Sequence, residues 1–373
     1  MGLYGKAEPA RVKFQEWALP MKSYPVETFY GGSDTSRPSI RKEGRMNGAS
    51  GTDEHIPKFS LIIACYKQEQ FIRETVDSAL ALPYPDKEVI VVDDASPDHT
   101  AQILEEYGDE IRLIKHTENL GANVGRNQGA AAARGEYLVF LDGDDLYLPW
   151  ALDLYARIIE LKEPKIILCR LLFFKGLVPR PQFDDFGHTV QVVEYDALMR
   201  KDHPYRGSAS AIVVDRQVFL NVGGFTKEIF PSDIDDLTIK LGYSGKTVHI
   251  LSHPTTAYRV HANNTVHQIG RFVETMSMVV RKEKNGEYPG GPSCRYERYA
   301  YIGGPVYYWF TRALGDGLYW RGLKFLASGW SLVLVSIWAH LARKLKGRRP
   351  IESIEMQPAV LSPHEDVCLT SQL

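Results

Sequence analysis

Residues 137–145 read Tyr-Leu-Val-Phe-Leu-Asp-Gly-Asp-Asp. The apolar run is too short for a helix and shows no polar alternation, so it predicts a strand covered on both faces. Strands of that kind build largely parallel sheets, which bind ligands beyond the carboxyl ends of their strands. Here that end carries three carboxylates, Asp142, Asp144 and Asp145. Acids so close together repel unless a cation or water screens them. Mg2+ typically takes one or two carboxylates together with substrate phosphates. Capping of a following helix is the alternative use of such a cluster.

The same pattern recurs upstream. Phe59–Cys65, Glu88–Val92 and Ile111–Ile114 are short apolar strands. Between them, Glu69–Leu80 places Phe71, Val76, Ala79 and Leu80 at helical spacing before Pro83 and Pro85 stop it. A second helix runs through Thr100–Tyr107, and Gly125–Ala133 is an Ala-rich third. This alternation predicts an α/β fold with a Rossmann-like, mostly parallel central sheet and flanking helices. Cys65-Tyr66-Lys67, Asp93-Asp94 and Asp142-Gly143-Asp144-Asp145 then converge at one edge. Asp93 and Asp94 suit hydrogen bonds from the hydroxyls or base N–H groups of a nucleotide. Past Trp150, strands are expected at Lys165–Phe174 and Ala209–Val214, with a polar loop between them. A helix at Asp236–Leu241, a strand at Thr247–Leu251 and a helix at Thr265–Arg281 follow.

Composition narrows the class. With 44 basic and 46 acidic residues in 373, the net charge of −2 gives no basis for nucleic-acid binding. Cys65, Cys169, Cys294 and Cys368 lie far apart, which argues against a zinc cluster or a disulfide framework and fits a reducing cytoplasm. The N-terminus lacks a basic stretch followed by an apolar core, so no signal peptide is expected. Residues 1–57 are rich in Gly, Ser, Pro, Lys and Glu and read as a disordered or loosely docked arm. Near the other end, Phe325–Ala342 contains no charged residue and is followed by Arg343, Lys344, Lys346, Arg348 and Arg349. A membrane-surface helix with a basic flank is the first expectation there. A helix packed on the domain and a membrane span stand as alternatives.

The ordered stretches 59–66 (FSLIIACY), 91–100 (VVDDASPDHT), 119–129 (NLGANVGRNQG), 137–145 (YLVFLDGDD), 222–225 (VGGF), 237–245 (LTIKLGYSG) and 258–265 (YRVHANNT) resemble glycosyltransferase family 2. These are inverting enzymes of the GT-A fold. The resemblance implies a GT-A catalytic domain over 58–285; the apolar run and basic flank beyond it suggest a helical, membrane-associated extension over 286–349, followed by a tail over 350–373. It implies transfer of a sugar from a nucleoside diphosphate sugar, UDP being the expected nucleotide, to a saccharide or lipid-linked acceptor hydroxyl. The setting would be glycan or glycolipid biosynthesis in the cytoplasm, on the inner face of the cell membrane. Tyr66, Asp93 and Asp94 would lie near the nucleoside, and Asn123, Gly125 and Arg126 would support the nucleotide pocket. Asp142 and Gly143 would face the nucleotide-sugar. Asp142, Asp144 and His261 would hold Mg2+ or Mn2+ on the diphosphate.

One departure matters. The family's acceptor-side motif reads Glu-Asp-x-Asp-Leu with the first Asp as general base, whereas this chain has Ser232-Asp233-Ile234-Asp235-Asp236-Leu237. An ungapped alignment puts Ile234 at the base position. A one-residue insertion puts Asp233 there, with Asp235 second. Ile234 is the sole support for a rival reading as a non-catalytic nucleotide-sugar-binding protein. A second rival, a nucleotidyltransferase, would need a Gly-rich loop after the first strand, where the chain reads Cys-Tyr-Lys-Gln-Glu.

Overall fold

The computed structural model describes residues 58–356 except 204 and 206, so the expected arm at 1–57 and residues 357–373 lie outside the described residues. Strands β1 (Phe59–Cys65), β2 (Lys87–Asp93), β3 (Arg112–Lys115) and β4 (Tyr137–Asp142) pair in parallel in the order β3-β2-β1-β4. Their register sets Cys65 opposite Asp93 and Ala64 opposite Asp142, which levels the acidic strand ends along one edge. Helices α1 (Ile72–Leu80), α2 (Thr100–Glu105) and α3 (Ala122–Ala132) complete this half. Helix α3 lies so near the sheet that a Cβ on Gly129 would come within 2.5 Å of Ile62 Cγ2. Only glycine permits that approach.

Beyond β4 the chain forms β5 (Leu146–Tyr147), α4 (Ala151–Lys162), β6 (Ile166–Phe174), β7 (Thr189–Tyr195), β8 (Ile212–Asp215), α5 (Arg216–Asn221), α6 (Asp233–Lys240) and β9 (Thr247–Arg259). The sheet continues outward from β4 through β8, β6, β9 and β7 with mixed directions. Two expectations change here. The polar loop before residue 209 contains β7, a paired strand with Val190, Val192 and Val193 buried. The strand expected to end at Leu251 runs to Arg259, because Pro254 sits opposite Arg170 at a register shift that absorbs it. The Pro254 carbonyl there accepts a 2.8 Å hydrogen bond from the Trp150 indole.

The C-terminal part consists of α7 (Ile269–Lys284), α8 (Arg295–Gly315), α9 (Tyr319–Lys346) and β10 (Glu352–Glu355). Helices α8 and α9 pack as an antiparallel hairpin through small residues. A Cβ on Gly303 would meet the Leu332 carbonyl oxygen at 2.1 Å, and one on Gly329 would meet Val306 at 2.9 Å. Ser336 donates a 2.7 Å hydrogen bond to the Ala300 carbonyl at the same seam. Ile302, Phe325 and Leu332 of this hairpin share one apolar core with Met276 of α7, Ile239 of α6, and Met199 and Ile229. Residues 286–349 are therefore bound into the same core as α6 rather than appended to it. The first part of the expected tail is likewise structured. Strand β10 pairs antiparallel with β7 because Ile354 and Met356 are buried in the main core.

Candidate functional site

The turn after β4 is held from below by its own last acid. Asp145 is fully buried, accepts from the Ser210 hydroxyl at 2.7 Å and from the Arg259 amide at 3.0 Å, and is pushed well above the usual carboxylate range by burial. The same Ser210 hydroxyl accepts from the Asp142 amide at 3.0 Å, so one serine fixes both ends of the turn. Asp145 is thus a structural acid rather than a member of an open carboxylate triplet. A Cβ on Gly143 would lie 2.7 Å from the Cys65 Cβ, and the Gly143 carbonyl accepts from the Thr75 hydroxyl at 3.0 Å. Gly143 accordingly lets the turn press against β1. Asp142 and Asp144 remain at the surface of the cleft.

Arg126 is the hub of the site. Buried on α3, it donates to Asp142 at 2.5 Å, to Asp233 at 2.7 Å and to the Asn123 side-chain carbonyl at 3.0 Å. The Phe225 ring lies 5.3 Å from its guanidinium carbon. Asn123 is itself anchored by donating to the Thr226 carbonyl at 2.9 Å. Gly125 faces Val92 and Ala64, with room for an ordinary contact at 3.5 Å. A buried carboxylate, Asp233, and a partly exposed one, Asp142, share one buried guanidinium in a charge-assisted network that joins the end of β4 to the start of α6.

The acids at the start of α6 part ways because successive helix positions turn by about 100°. Asp233 faces Arg126, and burial, which outweighs the pull of that cation, raises its carboxyl to about 6. Asp235 instead accepts from the Tyr301 hydroxyl of α8 at 3.0 Å, and burial raises it also to about 6. Near it, burial lowers the Lys201 ammonium to about 7, while Asp235 pulls the other way. Asp236 has no exposed surface and is spent on Lys282 at 2.8 Å and on the Tyr288 and Thr226 hydroxyls, both at 2.6 Å. Ile234 packs against Gly207, where an added Cβ would meet its Cγ2 at 2.5 Å. The ungapped alignment would give the base position to this packed apolar side chain, whereas its neighbour Asp233 reaches Arg126.

On the side of β2, Asp94 accepts from the Leu120 and Gly121 amides at 2.8 Å each and meets His116 Nδ1 at 2.6 Å. Its carboxylate therefore shapes the loop before α3. Asp93 accepts from the Ser96 amide at 3.3 Å. Tyr66 is exposed at the end of β1, beside Lys67, whose ammonium lies 5.2 Å from its ring centre. Tyr66, Asp93, Asp142 and Asp144 follow strands that end at the same edge.

His261 comes to the β4 turn from the far side. Its Nε2 lies 2.8 Å from Asp144 Oδ2, and its ring sits 5.0 Å from that of Phe71. Arg259 braces this approach by donating from Nε to the Asp144 carbonyl at 2.9 Å and from Nη2 to Glu74 at 2.5 Å. Among the described residues no group of three or more His, Cys, Asp and Glu gathers around one point. Asp144 and His261 supply one carboxylate and one imidazole, while the nearby Asp142 carboxylate is engaged by Arg126. That donor set fits a divalent ion that completes its shell with diphosphate oxygens and water. Reasoning from sequence missed Ser210, Tyr301 and Lys201. Ser210 and Lys201 belong to no motif, and Tyr301 lies in a segment assigned to a separate extension.

Comparisons with known proteins bear on the family and the fold. Residues 60–206 match the family model Glycosyl transferase family 2. "Uncharacterized glycosyltransferase EpsJ" of Bacillus subtilis (strain 168) is 44% identical over 93 residues, 24% of this chain and 27% of that protein. "Poly(ribitol-phosphate) beta-N-acetylglucosaminyltransferase TarS" of Staphylococcus aureus (strain Mu50 / ATCC 700699) is 24% identical over 241 residues, 62% of this chain and 41% of that protein. The chain thus spans less than half the length of both relatives. The crystal structure of S. aureus TarS 1-349 in complex with UDP-GlcNAc is similar with a TM-score of 0.50 at 18% identity, over 78% of this chain and 92% of that one, a likeness of fold.

Proposed function

We propose, from the match of residues 60–206 to Glycosyl transferase family 2, that the protein transfers a sugar from a nucleoside diphosphate sugar to an acceptor hydroxyl with inversion. The acceptor is a saccharide or a lipid-linked sugar in glycan or glycolipid biosynthesis. The observation that carries the reading is the Arg126 bridge, which ties Asp142 on the donor side to Asp233 on the acceptor side. UDP is the nucleotide we favour, since a structure of like fold is described with UDP-GlcNAc.

The chemistry follows from these positions. The nucleoside lies over the ends of β1 and β2, near Tyr66 and Asp93, with Asp94 holding the adjoining loop. The diphosphate lies over the turn at Asp142 and Asp144. Mg2+ or Mn2+ held by Asp144 and His261, with Asp142, would neutralise charge on the departing diphosphate. Asp233 is ionised at neutral pH and accepts the acceptor hydroxyl proton as that oxygen attacks the anomeric carbon. The bond from that carbon to the diphosphate oxygen breaks on the opposite face, so configuration inverts. Asp235 is the second candidate for the base, with Tyr301 orienting it.

A screen of nucleoside diphosphate sugars with purified protein and Mn2+, read by released nucleotide, tests the proposal. Turnover should be lost in EDTA, return with Mn2+ or Mg2+, and be absent in Asp144→Ala. Full turnover in chelator would remove the metal from the mechanism. Donor binding without transfer to any acceptor would replace the enzyme with a nucleotide-sugar-binding protein.

A further inference from the structure

Helix α9 has two faces with unlike fates. Phe325, Leu332, Val333 and Ala339 are buried against α7 and α8, together with Gly329 and Ser336 at the seam. Trp320, Leu323, Trp330, Leu334, Trp338 and Leu341 recur at steps of three, four or seven residues, which puts them on a single stripe turned away from the buried face. This stripe is open to solvent, with Trp320 85%, Trp330 58% and Trp338 66% exposed. A helix of 28 residues is about 42 Å long, and the stripe runs along nearly all of it. Exposed apolar area on that scale marks an interaction surface.

Charge narrows the occupant. From Tyr319 to Pro350 the chain holds no Asp or Glu, whereas Arg321 and Lys324 flank the start of the stripe. In sequence its end holds Arg343, Lys344, Lys346, Arg348 and Arg349; Leu345 is 89% exposed and Arg348 is exposed, while Arg349 pairs with Asp196. Tryptophan and basic residues without acids are the composition of the headgroup level of an anionic bilayer. The segment Tyr319–Leu345 is long and apolar enough to cross a membrane by length and composition. The helix nevertheless gives one whole face to α7 and α8, and its free stripe lies parallel to its axis. We infer that α9 rests flat on an anionic lipid surface, inserting its tryptophan and leucine stripe to the headgroup boundary while the opposite face stays packed on the protein.

The test uses the full-length chain and vesicles of phosphatidylcholine alone or with 30% phosphatidylglycerol (about one anionic lipid in three, a typical acidic surface). Co-sedimentation is expected with the anionic vesicles and should weaken with salt. Trp330→Glu combined with Trp338→Glu should lower partitioning about tenfold or more while leaving the circular dichroism spectrum and melting temperature unchanged. Arg348→Ala should lower it about fivefold, the equivalent of one basic residue near the surface. Brominated lipids should quench tryptophan emission when labelled near the headgroup. Strongest quenching at the bilayer centre would make α9 a span and overturn the in-plane placement. Indifference to vesicles at every salt concentration would overturn it too. So would a dimer that the tryptophan variants convert to monomer without changing vesicle binding, for the face would then join two copies of the chain.

Discussion

The turn after β4 and the first turn of α6 carry the same acidic spacing, Asp-Gly-Asp-Asp at 142–145 and Asp-Ile-Asp-Asp at 233–236, on unlike backbones. In each, the first acid binds Arg126 and the last is buried and spent on internal partners. In each, the middle acid meets a side chain from a distant element, His261 for Asp144 and Tyr301 for Asp235. The supports differ. Asp145 is held by a hydroxyl and an amide, and burial raises its carboxyl. Asp236 has a lysine ammonium at 2.8 Å and a helix N-terminus behind it. Equal spacing in sequence therefore gives a shared division of labour. What differs is the partner that follows the last acid into the interior, a hydroxyl and an amide for Asp145 and a lysine ammonium for Asp236.

The largest expected effect separates the two α6 candidates for the base. Asp233→Asn should lower kcat by about 10²–10⁴ while donor affinity, measured by titration, holds. Asp235→Asn should cost less. The opposite ranking would move the base to Asp235 and break the parallel with Asp142. Next in size is a contrast in stability. Asp236→Ala strands the Lys282 ammonium and should cost about 3–5 kcal/mol by urea denaturation. Equal stability of variant and parent would mean that the Lys282 pair is idle.

A third outcome concerns pH. A base that titrates near 6 is protonated and inactive below that value. From there kcat should fall about tenfold per pH unit, and the limb should vanish in Asp233→Asn. A profile flat down to pH 5 would exclude both α6 acids as the base. The smallest effect is expected at Asp145→Asn, about 1–3 kcal/mol from hydrogen bonds lost or reversed. Because the folded carboxyl titrates above its ordinary 3.8, the parent protein gains stability as pH falls towards that value. The deficit of the variant should therefore narrow as pH rises, and a deficit that widens would contradict a raised carboxyl.

The half of the molecule built by β1 to β4 was readable because buried parallel strands are unbroken apolar runs, and the acids at their ends stand out against them. The resemblance supplied His261, and the structure brings it to Asp144. The resemblance singled out Arg126, but its bridge to Asp233 was not legible, since Asp233 lies 107 positions away in the chain. Strand β9 reads as ending at Leu251 because Ser252, His253, Pro254, Thr255 and Thr256 look like a loop. In the fold the last four are buried or paired against β6, and Trp150 satisfies the Pro254 carbonyl. Tyr301 was hidden for another reason. Residues 286–349 read as a separate helical extension, and only the structure shows that Tyr301 of α8 reaches Asp235.

Strand β10 gives the chain's far end a practical meaning. It is four residues long, lies along β7, turns Glu355 to water and pairs the exposed Glu352 with Lys162. Short, charged border strands resist adding a stranger's strand, whereas a bare strand as apolar as β7 invites one. Anyone trimming this protein for crystals or storage should therefore leave residues 350–356 in place. A chain cut before Glu352 would carry an open, sticky margin, and its solutions would cloud with concentration even though every group at the acidic cleft was untouched.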